Sequence, residues 1–130
     1  MIKTSFKVSD NHKLQAKISG ESYSHISELR FRFIDKIEIG ISFKFESNGK
    51  NLRITDAKLD RIESEQNGEL TINVSFNNTI HQGSQAVRIT INLAYESYNQ
   101  SVVGSSIVKL TPEGELIQYT KTDNVSDLNS

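Results

Sequence analysis

Three histidines, His12, His25 and His81, are the side chains of this 130-residue chain whose ordinary pKa lies near neutrality, and no cysteine offers a nucleophile or a thiolate ligand. Each histidine sits in its own polar segment, none with a second histidine at ligand spacing, so all three read as surface groups. Among the carboxylates, Asp56, Asp60 and Glu63 fall close together, and Glu113 and Glu115 flank a turn. A glycosidase needs two such acids facing one another at about 5–10 Å across a cleft. Here they alternate with Lys58 and Arg61, which is the pattern of a solvated strand face.

Other chemistries lack their signatures too. There is no Gly-x-Ser-x-Gly elbow for an activated serine. The seven glycines never form the Gly-x-Gly or Gly-Lys-Ser combinations that cradle phosphate. No metal or cofactor is expected, and the chain reads as a non-enzyme.

One basic and aromatic run remains, Arg30-Phe31-Arg32-Phe33, with Lys36 and Lys44 nearby. Sheets that bind single-stranded RNA expose aromatic rings beside cations. On a strand, however, Phe31 and Phe33 share a face with Leu29 and turn inward, leaving Arg30 and Arg32 on the wet face. A net charge of −1 gives no general attraction to polyanions. Nucleic acid is therefore not the expected partner. The residues best placed to meet a protein partner are Arg30, Arg32, His81 and Gln82 in the segment Thr79–Gly83, and Tyr98, whose residue type is enriched at interfaces.

The elements that must position these residues are strands. Ile37, Ile39, Ile41, Phe43 and Phe45 are apolar while Glu38, Gly40, Ser42 and Lys44 between them are polar or small, the period-two signature of a half-buried strand. The pattern returns at Leu70, Ile72, Val74 and Phe76, and at Val87, Ile89, Ile91, Leu93 and Tyr95. Ile2–Val8 is a further candidate, with a turn at Asp10-Asn11-His12 and a short strand through Leu14, Ala16 and Ile18. Asn48-Gly49 marks a hairpin, and a parity change near Thr55-Asp56 predicts a β-bulge. Val102–Leu110 carries apolar residues on both parities and is expected to be covered on both faces. Pro112-Glu113-Gly114 is a turn, after which Leu116–Tyr119 pairs back. Residues 21–36 are expected to hold a loop to about Ile26 and then a strand, with a short helix near 22–28 as the alternative.

The fold class is therefore all-β: an antiparallel meander of about eight strands closed as a sandwich or open barrel. A single β domain is expected over residues 1–120, followed by a polar C-terminal tail over 121–130. Residues 1–10 hold no apolar run of the length a secretion signal needs, and no stretch approaches a membrane span. A cytoplasmic location is the expectation, and the Asn-x-Ser/Thr triplets at Asn73, Asn77, Asn99 and Asn124 are chance rather than glycan sites.

Functionally, these features favour a protein–protein interaction module that forms homo-oligomers through an edge strand. Its Asn- and Ile-rich composition suits a phage or mobile-element protein that binds a host protein. The alternative is a small-molecule or peptide carrier with a chaperone-like apolar groove or barrel interior, lined by Phe43, Phe45, Phe76, Ile91 and Tyr95.

Overall fold

The computed structural model describes residues 2–9, 18, 20–34 and 36–127, with side chains as far as Ile117. Eight strands follow one another: β1 (Ile2–Val8), β2 (Tyr23–Phe33), β3 (Ile37–Ser47), β4 (Leu52–Ser64), β5 (Gly68–His81), β6 (Ser84–Glu96), β7 (Gln100–Leu110) and β8 (Leu116–Asp127). They form a five-stranded sheet in the order β1-β5-β6-β7-β8 and a three-stranded sheet in the order β2-β3-β4. The fold is all-β. Among the described residues no helix is long and apolar enough to cross a membrane.

The alternating residues do what their period demands. Ile37, Ile39, Ile41, Phe43 and Phe45 are fully buried and face Leu70, Ile72, Val74, Phe76, Ile89, Ile91 and Leu93 of the other sheet in one core. Phe43 and Phe76 meet edge-to-face, ring centres 6.3 Å apart, an arrangement that matches the positive rim of one ring to the negative face of the other. Tyr95 is buried as well, and its hydroxyl donates to the carbonyl of Asn67 at 2.7 Å, so the core encloses no unpaired phenol. Burying each of these large side chains stabilises the fold by roughly 1.5–3 kcal/mol.

Turn chemistry holds where it was read. Asn48 Oδ1 accepts from the N–H groups of Lys50 (3.1 Å) and Asn51 (2.8 Å), and Gly49 takes the positive φ of +93° that closes the β3–β4 hairpin. The bulge expected near Thr55-Asp56 is present: Lys44 pairs with Asp56 but Phe45 with Ile54, leaving Thr55 as the extra residue. A second slip leaves Asp60 extra, between Gly40–Arg61 and Ile41–Leu59.

Several expectations are corrected. Residues 22–28 are neither helix nor loop, because β2 already begins at Tyr23 and pairs with β3 in unbroken register from Tyr23–Ser47 to Phe33–Ile37. The helical stripe of Ile26, Leu29 and Phe33 loses to a ladder that buries Phe33 and half-buries Leu29 and Phe31 on one face. Residues 77–85, polar enough between the two alternating strands to predict a loop, instead form the end of the β5–β6 hairpin, paired as far as His81–Ser84 and turned by Gln82 (φ 50°) and Gly83 (φ 80°). Positive φ at both turn residues matches the right-handed twist of the flanking strands. Residues 121–127 are not a tail but the second half of β8, held by the β7 ladder from Ser106–Lys121 to Gln100–Asp127. β7 is not covered on both faces, since Val103 is 50% exposed.

Nor is the topology a pure meander. β1 runs parallel to β5, from Ile2–Gly68 to Val8–Val74. Parallel neighbours need a long crossover, and the whole three-stranded sheet serves as that crossover. The turn expected at 10–12 and the strand through Leu14 and Ala16 lie outside the described residues.

Candidate functional site

The five residues singled out from the sequence fall in three places. Arg30 and Arg32 project from the outer face of β2, both exposed, while Leu29, Phe31 and Phe33 turn toward the core. His81 and Gln82 sit at the tip of the β5–β6 hairpin, where Gln82 serves as a left-handed turn residue. Tyr98, 87% exposed, caps the β6–β7 turn at the opposite end of β6. A strand of this length spans about 40 Å at roughly 3.3 Å per residue, so Tyr98 cannot share a contact with His81 and Gln82. Arg30 groups with Arg32 on β2, and His81 with Gln82 at the hairpin tip.

Around them the wet face of the three-stranded sheet is a lattice of opposite charges. Arg30 Nε donates to Glu28 Oε1 at 2.8 Å, Arg53 to Glu46 at 2.6 Å, and Arg61 approaches Glu63 at 3.4 Å and Glu38 at 3.9 Å. The Arg30 guanidinium is held above its ordinary pKa, first by the hydrogen bond it donates to Glu28 and next by the charge of that carboxylate, with Glu38 and Glu63 adding to it. Gly40 lies beneath this cluster. A Cβ there would stand 3.1 Å from Arg61 Cβ and 3.4 Å from Glu28 Oε1, so the missing side chain lets the charged groups lie flat across the sheet. Glu28 was missed in the sequence, although opposite charges two residues apart on a strand were the signal.

Two open clefts flank β4. One, of about 800 Å³, lies between Arg32, Lys36, Glu38, Glu63 and Glu65 and carries both signs of charge. The other, of about 820 Å³, lies beside the β5–β6 tip among Asn51, Asn78, Ile80, Ser84 and Gln85, with Gln85 Oε1 buried and unpaired. His25 stacks on Phe45 with ring centres 5.2 Å apart, which explains its place on a strand without chemistry. Among the described residues no group of three or more His, Asp or Glu side chains is disposed to hold a metal ion.

The sheet edges differ in a way that matters for binding. A free strand edge displays unpaired N–H and C=O groups, and proteins blunt such edges with bulges, lysines, proline or short strands. β4 carries two bulges and exposed Asp56, Lys58 and Asp60. β1 is seven residues long with exposed Lys3 and Lys7. The β7–β8 ladder slips between Ile107 and Val108. β2 differs: it has eleven residues with no bulge, no proline and no lysine, its exposed charges Glu28 and Arg30 are joined to one another, and no strand lies on its far side among the described residues. Ile26, 73% exposed, stands on this strand.

Comparison of the chain with protein-family models, with curated proteins and with solved structures finds no match.

Proposed function

We propose that this chain is a non-catalytic protein-interaction module that binds by taking an extended segment of a protein partner onto the free edge of β2. Strand addition supplies affinity through main-chain hydrogen bonds and specificity through alternate side chains. The observation that carries this function is the contrast between β2, eleven residues in unbroken register with β3, and the bulged or lysine-bearing edges elsewhere. Arg30 and Arg32 then select acidic groups on the wet face of the incoming strand. A carrier role has less support, because Phe43, Phe45, Phe76, Ile91 and Tyr95 belong to one packed core rather than to the wall of a cavity.

Affinity capture from the native host tests the proposal with wild type and with a variant combining Ser24→Lys and Ile26→Lys. Both positions are exposed, so the variant keeps its fold and melting temperature while its edge is blunted by charge. Specific capture by the wild type and loss in the variant are expected. Equal capture by both, or no capture by either from a wild type that is itself monomeric, overturns the proposal.

A further inference from the structure

We infer that β2 pairs with β2 of a second copy of this chain, antiparallel and about a two-fold axis through Leu29, to make one continuous sheet in the order β4-β3-β2-β2-β3-β4. The inference rests on strand addition at β2, and it follows from the order of charges along the strand. A two-fold axis perpendicular to the sheet keeps each copy's wet face wet, so residues facing one another across the new seam must share a parity. Only axes through a residue satisfy this, and they can be compared one by one.

With the axis at Arg30, that arginine opposes its own copy; at Glu28, two carboxylates oppose each other; at Phe31, Arg30 faces Arg32 twice. With the axis at Ser27, neither Glu28 nor Arg30 meets a charge. With the axis at Leu29, Glu28 faces Arg30 of the second copy, and the symmetry repeats the pair. The intrachain bond between Glu28 and Arg30 at 2.8 Å already holds both groups on the wet face. In the paired sheet they become a four-membered cluster in which every neighbour is of opposite sign. Ile26 lies across from the aliphatic stem of Arg32, where long cations cover apolar surface well. On the inner face Leu29 meets Leu29 of the second copy and Ser27 faces Phe31. Leu29 and Phe31 are only partly buried in one copy, so the added strand covers apolar area left open. Either hydrogen-bonding parity of an antiparallel ladder accommodates such an axis.

The test is a charge-reversal exchange read by native mass spectrometry and light scattering. Wild type is expected to dimerise. Arg30→Glu sets two acids against each other across the seam, and Glu28→Arg sets two bases, so each variant alone should dimerise about tenfold more weakly or worse. Mixed in equal amounts, the two variants should form a heterodimer, because the acids of one then face the bases of the other. The chain carrying both reversals should dimerise again. Arg30 and Glu28 side chains are 57% and 38% exposed, so neither change threatens the core, and pairing in the mixture itself demonstrates folded protein. Single variants that still dimerise, or a mixture that does not pair, overturn the two-fold register. A monomeric wild type whose β2 lysine variant loses a captured host protein overturns self-pairing alone and leaves strand addition standing. A monomeric wild type whose capture is indifferent to β2 overturns both.

Discussion

Gln82 shows how a single backbone angle constrains the chain. It sits at φ 50° in the two-residue turn between β5 and β6, followed by Gly83 at φ 80°. A non-glycine residue in this region costs on the order of 1 kcal/mol, and asparagine tolerates it best among side chains with a Cβ. Gln82→Asn is therefore expected to stabilise the protein by about 0.5–1 kcal/mol, visible as a rise of a few degrees in the thermal midpoint. An unchanged or lower midpoint would show that Gln82 makes a contact worth more than the strain. At this scale the sequence was informative about direction but not about company. That Arg30 and Arg32 face solvent followed from parity alone. The grouping of Arg30 with Glu28, Glu38, Glu63 and Arg61 around Gly40 required the strand order, which no local pattern encodes.

Among the elements, those that alternate cleanly were legible, since one buried face forces period two. β3, the first half of β5 and β6 read directly. The second half of β8 and the far arm of β5 did not, because Asn77-Asn78-Thr79 and residues 120–127, Val125 apart, are polar on both parities and show no alternation. The β7 ladder with 121–127 has a measurable consequence. Truncation after Thr120 is expected to lower the thermal midpoint and expose the Gln100–Ser106 edge of β7, with aggregation rising accordingly. Removal of an unpaired tail would leave midpoint and solubility unchanged, so differential scanning calorimetry with light scattering separates the two. The contrast between edges belongs here as well. Asp60 and Thr55 bulge one border of the three-stranded sheet, while its opposite border at β2 keeps an unbroken register.

For the molecule as a whole, the two sheets make one core whose pairings join distant parts of the chain. β1 reaches β5, and Ser27 Oγ on β2 donates to the carbonyl of Gly114 at 2.6 Å, in the turn that leads into β8. Folds dominated by such non-local pairing form slowly. Refolding over about milliseconds to seconds is expected, and stopped-flow fluorescence of the tyrosines would contradict this if the main phase were complete in microseconds. The parallel pair also has a consequence for biosynthesis. β1 leaves the ribosome before the strand that receives it, Gly68–His81, which is translated only after the entire three-stranded sheet. At about 5–20 residues per second, β1 waits several seconds with Phe6 and Val8 uncovered by the strand they pair with. During that interval the apolar face of β1 is open to water and to other chains, and it is covered only when Ile72 and Val74 arrive beside Phe6 and Val8.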